Sequence, residues 1–390
     1  MSGPAAETAP LAPQARRRAL IAILASLTAA GLTDGTSYPL FSVLLDRAGH
    51  SSTVIGLHAA MPILGTIVTA PFIPLIIRRF GVQPTMFGSL ALIVVCYLLF
   101  PLLPSISIWF VLRFMVGVGM AVHWIVSETW LNVAATSSRR GLYAGLYATL
   151  MSIGFAVGPA LLTVIDLDTA LPFAIIAGAV VMVGIPLYWA RNSMPAIEPA
   201  QSDSHLWPLA AAPTIFLAAL VAGLVDASVL SLLVVYGIRT GFTEANALIL
   251  LTVLGVGTVT LQLPLGWLAD KVGRRRLLLV SGVAGAAGAM ALPLALGLPT
   301  LLWVILFLWG GFFVGLYTIA LAELGERFQG PALAGANGLF VMAYSVGSLA
   351  GPPALGVAMD VFGPNGLPFG LAAACLVFLL VATARTMRWT

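Results

Sequence analysis

The chain repeats itself about 192 residues apart, and this repeat limits its possible folds more than any other feature. Residues 30–34 (AGLTD) return as residues 222–226 (AGLVD). Farther along, residues 154–159 (GFAVGP) return as residues 347–352 (GSLAGP). Two such halves favour a molecule built from two similar bundles, whose work is done between them. Each copy of the first segment also places an acid inside an apolar stretch.

Both halves are too apolar for a water-soluble fold. The chain is 60% hydrophobic and 8% charged, whereas soluble domains carry about 25% charged residues. Twelve apolar stretches lie between residues 19 and 384, and a stretch of more than about 18 residues is typical of a spanning helix. The strands of membrane barrels are much shorter, at roughly 10 residues. The sequence therefore predicts an all-α membrane protein with twelve transmembrane helices in two pseudo-symmetric six-helix bundles.

Composition shifts along the chain predict its domain boundaries. Residues 1–18 are predicted to be a disordered cytoplasmic N-terminus, because the first fifteen residues are rich in Ala and Pro. An N-terminal bundle is predicted over 19–190 and a C-terminal bundle over 208–390. The longest polar interior stretch lies between them, which predicts a cytoplasmic linker over 191–207.

The basic residues are strongly biased to one side of the predicted membrane. Fifteen lie on the side of the two termini, at positions 16, 17, 18, 78, 79, 139, 140, 191, 271, 274, 275, 276, 327, 385 and 388. Only Arg47 and Arg239 lie on the other side. Because cytoplasmic loops carry the excess of Lys and Arg, both termini are predicted to be cytoplasmic. The expected location is the cytoplasmic (inner) membrane, with the chain crossing it many times.

Five charged residues lie inside the predicted spans. They are one base and four acids: Arg113, Asp34, Glu128, Asp226 and Glu323. An ionisable group at mid-depth costs roughly 2.5–3.5 kcal/mol, so these side chains are expected to line a polar cavity. Asp34 repeats as Asp226, and Glu128 matches Glu323 at an offset of 195, but Arg113 has no equivalent. The pairing of Asp34 with Arg113 is predicted to respond to protons or substrate, although it could also be a static salt bridge.

Several uncharged polar and aromatic residues accompany them. Tyr38 shares a face with Asp34 at i, i+4. His123 could relay protons near neutral pH, or be a neutral imidazole bonded to a backbone carbonyl. Seven aromatic residues could line the same cavity, namely Trp124, Trp130, Tyr143, Tyr147, Trp309, Tyr317 and Tyr344. A Trp near a helix end is more often an interfacial anchor. The pattern predicts no metal site.

Three motifs carry a resemblance to a known family. Residues 266–276 (GWLADKVGRRR) resemble the signature Gly-x-Leu-x-Asp-Arg-x-Gly-Arg-Arg of the major facilitator superfamily. The run Arg113-(x)3-Gly117-x-Gly119 looks like the fourth-helix motif of that family, whose Arg is tied to proton coupling. Residues 154–159 look like its fifth-helix motif, which is common in antiporters. Residues 124–132 are similar to a bacterial branch of mostly unassigned substrate.

The resemblance covers the whole chain and implies the family's fold and gate. Its signature loop falls here on Gly266, Asp270, Gly273, Arg274 and Arg275. In the family the signature Asp is thought to latch the cytoplasmic side shut.

The first-half copy of this loop departs from the signature. It has Arg78 where the signature has Asp, and Pro74 where it has Gly. Two latches are therefore expected on the cytoplasmic side. Asp270 should face the start of the fifth span, near Arg139 and Arg140, and Arg78 should face Glu326.

The predicted function is secondary active transport of a small molecule by alternating access. Proton coupling is expected, with Asp34, Arg113 and Glu128 in coupling or substrate binding, and the prediction leans to efflux of a drug-like or amphipathic solute. The alternatives are a proton-driven importer or uncoupled facilitator of a small anionic or aromatic nutrient, and a non-transporting membrane sensor or scaffold.

Enzymatic and ATP-driven functions lack their motifs. The only Lys, Lys271, follows Asp270 and is not part of a phosphate-binding loop. His-Glu-x-x-His and Gly-x-Ser-x-Gly are absent from the sequence. The expected partners are a small-molecule substrate, protons and the lipid bilayer, with no nucleic acid. No cofactor is expected beyond the proton gradient as energy source, and the protein is expected to be a monomer.

Overall fold

The computed structural model describes residues 12–134, 140–194, 207–329 and 331–386, and these segments are helical almost throughout. The helices are α1 (Pro13–Arg47), α2 (Ser52–Thr69), α3 (Ile73–Phe80), α4 (Val82–Leu99), α5 (Ile106–Ala134), α6 (Arg140–Leu162), α7 (Leu171–Ala190), α8 (Trp207–Ala211), α9 (Pro213–Arg239), α10 (Glu244–Val272), α11 (Arg274–Ala295), α12 (Pro299–Arg327), α13 (Pro331–Phe362) and α14 (Gly366–Thr386). Short 3-10 turns at Ala70–Phe72 and Arg191–Ser193 follow α2 and α7.

These helices make twelve membrane crossings. Eleven stretches of the described chain are long and apolar enough to cross a membrane, and α2 with α3 forms one of them. The twelfth crossing is α6, which spans 23 residues and contains the apolar stretch Thr149–Leu162. The predicted class is confirmed: an all-α membrane protein with twelve crossing helices in two bundles.

The two bundles use matching helix contacts. In the N-terminal bundle, α1 packs on α6, α2 on α5, and α4 on α7. In the C-terminal bundle, α9 packs on α13, α10 on α12, and α11 on α14. Each pair in one bundle is therefore the counterpart of a pair in the other, as the sequence repeat requires.

The repeated glycines explain the closest of these pairs. A Cβ added to Gly154 of α6 would lie 2.5 Å from the backbone nitrogen of Leu32 in α1. In the other bundle, a Cβ added to Gly351 of α13 would lie 2.5 Å from the carbonyl oxygen of Leu224 in α9. Only a hydrogen fits at such positions, so glycine lets the two backbones touch.

A single glycine joins two successive helices in each bundle. Gly81 separates α3 from α4 with φ +87°, and Gly273 separates α10 from α11 with φ +95°. These conformations are accessible to glycine and strained for other residues. The two glycines are 192 residues apart, so the same turn is used twice.

The structure corrects part of the predicted terminal segment. The sequence predicts disorder through residue 18, but α1 begins at Pro13. Proline suits the first turn of a helix, because its missing N–H would be unpaired there. The Arg18 guanidinium also lies over the Trp189 ring, 5.0 Å from its centroid. Residues 1–11, and most of the predicted linker (195–206), lie outside the described residues.

Candidate functional site

The two bundles touch at one end of the molecule. The end where α1 and α9 begin also carries Arg78, Arg79 and residues 274–276, and it is called the basic end below. Contact is made at the opposite end, where Gly56 of α2 meets the backbone of Pro352 in α13. Gly255 of α10 and Ala156 of α6 form a second close approach, 2.8 Å from a Cβ built on the glycine to the Ala156 Cβ.

Two arginines tie the bundles together at the opposite end. Arg47 binds Asp168 of its own bundle at 2.6 Å and forms an ion pair with Glu244 of the other bundle. Arg239 lies 3.7 Å from Asp360 of its own bundle.

Arg239 also reaches across to the N-terminal bundle. It contacts Asp46 at 2.9 Å and donates a hydrogen bond to the Ser52 Oγ at 2.6 Å. We call Arg47, Arg239, Asp46, Asp168, Glu244 and Asp360 the arginine lock.

The arginine lock follows the sequence repeat. Arg47 and Arg239 are 192 residues apart, and so are Asp168 and Asp360. Each arginine joins an Asp of its own bundle to the first residue of a helix in the other bundle, Glu244 in α10 or Ser52 in α2. Asp360 also accepts hydrogen bonds from the backbone N–H groups of Ser52 and Thr53, at 2.8 and 2.9 Å, which caps α2 across the interface.

The space between the bundles opens toward the basic end. Among the described residues, every ion pair that joins the two bundles belongs to the arginine lock. At the basic end, Arg274 pairs with Glu326 at 2.9 Å and with Asp270 at 3.4 Å, both within the C-terminal bundle. In the part of the chain that the structure describes, ion pairs thus close the space between the bundles at the lock end and not at the basic end.

The predicted Arg78–Glu326 latch is not formed, and the predicted partners of Asp270 lie outside the described side chains. Asp270 and Glu326 share Arg274 as partner, while Arg78 and Arg275 are exposed. Gly273 turns the chain between α10 and α11, and Gly266 is exposed with open space around it. Arg139 lies outside the described residues, and the side chain of Arg140 is not described. Both latches stay predictions for a state closed at the basic end.

Acids from both bundles face the space between them, two near the middle of their helices and one nearer the basic end. Asp34 of α1 and Asp226 of α9 are half-buried, and Glu128 of α5 is exposed. Asp226 lies within electrostatic reach of Tyr38 across the interface, and Glu128 lies within reach of Tyr317 in α12. Groups that belong to different bundles therefore lie close together in the space between the bundles, which we call the cavity; charged groups in a membrane protein normally face such a polar space.

On the C-terminal side of the cavity, Asp226 is framed by tyrosines. The Tyr344 hydroxyl donates a hydrogen bond to the Asp226 carboxylate. The Tyr317 ring stands edge-on to Tyr344 at 5.1 Å between centroids and to Phe340 at 5.2 Å. We call Asp226, Tyr317 and Tyr344 the acid–tyrosine face, which packs on the buried Phe340 ring. It combines a negative charge with aromatic rings, two features that attract organic cations.

On the N-terminal side, Arg113 is withdrawn from the cavity. Its side chain is 1% exposed and donates from Nη1 to the Ser37 Oγ at 3.2 Å. The guanidinium carbon lies 4.8 Å from the centroid of the Tyr38 ring and 4.9 Å from that of Phe41. Asp34 is within its electrostatic reach, but the two form no ion pair within 4.0 Å. Their pairing as a responsive unit stays a prediction.

The remaining predicted site residues lie elsewhere. Glu323 is half-buried near the basic end, within electrostatic reach of Arg275 and Arg327. His123 is 2% exposed and faces the interior of the N-terminal bundle, and Trp124 beside it is half-buried. The structure thus brings Asp34, Tyr38, Glu128 and Asp226 to one cavity, but not Glu323 or His123.

Sequence reasoning missed the arginine lock. The signal was present, because Arg47 and Arg239 are the two bases on the sparsely charged side and obey the 192-residue repeat. The same offset relates Asp168 to Asp360.

Comparison with known proteins agrees with this architecture. The family model of the Major Facilitator Superfamily matches residues 23–318 and 215–388. A similar curated protein is the "Uncharacterized MFS-type transporter YfkF" of Bacillus subtilis, which is 25% identical over 384 residues, covering 95% of this chain and 96% of the relative.

Solved structures share the fold at low sequence identity. The nucleoside transporter NupG superposes with a TM-score of 0.75 at 13% identity, covering 94% of this chain and 99% of its own. A bacterial homologue of the human lysosomal transporter Spinster, in an inward-facing and unoccupied conformation, has a TM-score of 0.71 at 16% identity, covering 96% of both chains.

Proposed function

Because this chain belongs to the major facilitator superfamily and is thus a secondary transporter, we propose that it exports an amphipathic organic cation in exchange for protons. The two bundles would rock about the central cavity and expose it to each side of the membrane in turn. The arrangement described above, closed by the arginine lock and open at the basic end, corresponds to one of these two states.

We place the protein in the cytoplasmic membrane with the basic end facing the cytoplasm. The support is the asymmetry of Lys and Arg, which marks the cytoplasmic side in membrane proteins. The open cavity then faces the cytoplasm, where an export substrate is collected. The cavity lies within one chain, between its two bundles, which is compatible with a monomer as the working unit.

The choice of substrate rests on which charged side chains of the cavity are exposed and which are buried. Asp34, Glu128 and Asp226 are accessible, whereas Arg113 is buried behind the Tyr38 and Phe41 rings. Deeper in the cavity, beyond the bases of the basic end, an anion would meet exposed or half-buried carboxylates, while Arg113 is buried. A cation would meet the acid–tyrosine face, where charge attraction and ring contacts act together. The anionic-nutrient alternative is therefore the weaker one.

Proton exchange follows from placing a carboxylate in the same cavity as the cation. The Asp34 carboxyl group can either bind a proton or stay ionised and attract a nearby cation. Arg113 lies within electrostatic reach and therefore influences the balance between these two states. Binding of cation and proton is then mutually unfavourable, and by linkage each lowers the affinity for the other. Such competition is the basis of exchange transport.

The test uses two probe ions of the same shape and opposite charge, tetraphenylphosphonium and tetraphenylborate. Purified protein should bind the phosphonium and not the borate. In proteoliposomes, an inward proton gradient should drive phosphonium export. Removing a carboxylate contact to a bound cation typically costs about 1.5–3 kcal/mol, so Asp226→Asn should weaken phosphonium binding by about 10- to 100-fold. Asp166→Asn, on an exposed loop, is the matched control.

Each failure points to one alternative. Preferential binding of the borate would contradict a cationic substrate. Phosphonium flux that ignores the proton gradient would favour an uncoupled facilitator, and accumulation in the opposite direction an importer. Binding with no flux under any gradient would favour a non-transporting sensor or scaffold.

A further inference from the structure

Among the described residues, the arginines at the basic end have acidic partners in the C-terminal bundle but not in the N-terminal bundle. In the C-terminal bundle, Arg274 pairs with Asp270 and Glu326. The N-terminal bundle reaches the basic end with three segments that contain no acid, residues 13–20, 76–84 and 187–194. They contain six arginines, none of which forms an ion pair with a described residue: Arg16, Arg17, Arg18, Arg78, Arg79 and Arg191. These segments therefore form a positive surface without an internal counter-charge.

Two of these arginines lie over aromatic rings at the end of α7. The guanidinium carbon of Arg18 is 5.0 Å from the centroid of the Trp189 ring, and that of Arg191 is 3.8 Å from the centroid of the Tyr188 ring. Both rings are more than half exposed, and Trp and Tyr at a helix end normally lie at the level of the lipid headgroups. A ring holds a guanidinium through its face and leaves N–H groups available as donors. We call Arg18, Arg191, Tyr188 and Trp189 the arginine–aromatic patch.

Neighbouring helices hold the arginine–aromatic patch in place. α1 packs on α7 and on the 3-10 turn that follows it. Gln83, at the start of α4, donates a hydrogen bond from its side-chain amide to the Arg191 carbonyl oxygen at 3.0 Å. The Phe87 ring, one turn farther along α4, stands edge-on to the Tyr188 ring at 6.1 Å between centroids. Contacts from α1 and α4 therefore fix the end of α7 in the absence of a ligand.

An exposed apolar track leads from the patch toward the middle of the membrane. Ile185 and Val181 lie four and eight residues before Trp189 on α7, so they share its helix face. Ile21 lies one turn after Arg18 on α1. All three apolar side chains are exposed. The surface next to the patch is therefore suited to contact with a lipid acyl chain.

We propose that the arginine–aromatic patch binds an anionic phospholipid, with the headgroup phosphate on Arg18 and Arg191 and an acyl chain along Ile185 and Val181. Guanidinium groups form charge-assisted hydrogen bonds to phosphate oxygens. A zwitterionic lipid carries a positive group beside its phosphate, which the two arginines repel. With the membrane placement proposed above, the lipid belongs to the cytoplasmic leaflet, whose anionic lipids attract basic segments.

The sequence repeat shows that the patch belongs to one bundle. The C-terminal segment equivalent to the end of α7, residues 380–386 (LVATART), contains no aromatic residue. Ala210 occupies the position equivalent to Arg18. The same arrangement of helices therefore forms without these rings and arginines, so the fold itself does not require them.

The test measures which lipid approaches Trp189. The full-length protein is reconstituted in phosphatidylcholine bilayers that contain increasing amounts of brominated phosphatidylglycerol or brominated phosphatidylcholine, because bromine atoms quench the fluorescence of nearby Trp rings. The chain has nine Trp residues, so the signal of Trp189 is taken as the difference between each protein and its Trp189→Phe variant. This signal should be quenched at an about twentyfold lower fraction of the phosphatidylglycerol, since each arginine contributes about fivefold. Equal quenching by the two lipids would overturn the proposal.

Variants separate the patch from the general positive charge of this end. Arg18→Gln and Arg191→Gln should each reduce the preference for phosphatidylglycerol about fivefold, whereas Arg18→Lys keeps the charge and should keep most of the preference. The matched control is Arg276→Gln, which removes an exposed charge from the basic end of the other bundle and should leave the preference unchanged. An equal loss in Arg276→Gln and Arg18→Gln would contradict a defined lipid site.

A soluble headgroup analogue distinguishes a lipid from a free anion. Excess glycerol 3-phosphate should not relieve the quenching of Trp189, because it has no acyl chain to contact Ile185 and Val181. Relief of the quenching would overturn the lipid assignment in favour of a site for soluble anions. These measurements use no transported substrate, so they decide the inference even if the protein does not transport phosphonium.

Discussion

Asp34 and Asp226 occupy equivalent positions in the two bundles, yet their surroundings are different. Asp34 has the buried Arg113 within electrostatic reach, whereas Asp226 accepts a hydrogen bond from Tyr344. The repeat places Phe307 or Leu308 near the position equivalent to Arg113, and Met151 at the position equivalent to Tyr344. Both halves of the repeat thus have the acid, but the residues around it differ. The difference suggests that proton coupling belongs mainly to the N-terminal bundle and cation binding to the C-terminal one.

The largest effect is expected from Arg113→Met, which would remove the charge that distinguishes Asp34. Proton-driven phosphonium flux should fall at least about 100-fold, which corresponds to about 2.7 kcal/mol. Thermal stability should not fall, because a buried guanidinium with unpaired Nε and Nη2 atoms is itself destabilising. Flux and melting temperature are the two measurements. Unchanged flux would remove the basis for assigning coupling to this bundle.

The two acids should respond differently to the same substitution. Asp226→Asn should weaken phosphonium binding by about 10- to 100-fold, since it removes a charge beside the bound cation. Asp34→Asn should hold phosphonium affinity near the weaker value that the parent protein shows at low pH and abolish its dependence on pH, because the amide mimics the protonated acid. Equilibrium binding across a pH series measures both. Identical behaviour of the two variants would break the division of labour between the bundles.

Substituting either arginine of the arginine lock should have the same effect, unlike substituting the two acids. Arg47→Gln and Arg239→Gln should each raise the ratio of molecules open to molecules closed at the lock end by about 3- to 10-fold. Partly exposed ion pairs contribute about 0.2–1 kcal/mol each, and each of the two arginines makes several contacts. Spin labels at Leu102 and Leu298, exposed on opposite bundles, should report longer distances in both variants. High salt should reproduce part of the shift by screening.

Arg79→Gln, at an exposed position of the basic end outside the predicted latches, is the control for both lock variants. A large effect from one lock arginine and none from the other would contradict the pseudo-symmetric reading of this end.

The smallest effect is expected at the basic end, where Glu326 pairs with Arg274 and not with Arg78 in this state. Arg78→Glu and Glu326→Arg should each reduce flux by about threefold, a surface-pair magnitude. The double charge reversal should restore it if the two residues meet when this end closes. Flux through the four proteins in the cycle measures this coupling. Additive losses without rescue would eliminate the Arg78–Glu326 latch.

Much of the fold could be predicted because its determinants are local. Apolar length identifies a spanning helix, and residues 30–34 and 222–226 reveal the duplication without any contact information. The acids at Asp34 and Asp226 also stood out, since charge inside a span is rare for physical reasons.

The features of the site that could not be predicted depend on the direction in which each side chain points. Arg113 and Glu128 lie on one helix, yet one is 1% exposed and the other is open to solvent. His123 was expected in the cavity with Trp124, but it faces the opposite side of the helix. A single-sequence pattern gives the spacing of residues on a helix and not the identity of the neighbour on each face. The arginine lock was missed because its partners are brought together by the docking of two bundles.

The one-residue turns at Gly81 and Gly273 have a mechanical consequence. With one residue between α3 and α4, and between α10 and α11, the adjoining helix ends stay within a few ångströms of each other at the basic end. A displacement of one helix end must therefore carry the next helix end with it, even though glycine lets the angle between the two helices change. A longer connection at the same place would let the two helix ends move independently.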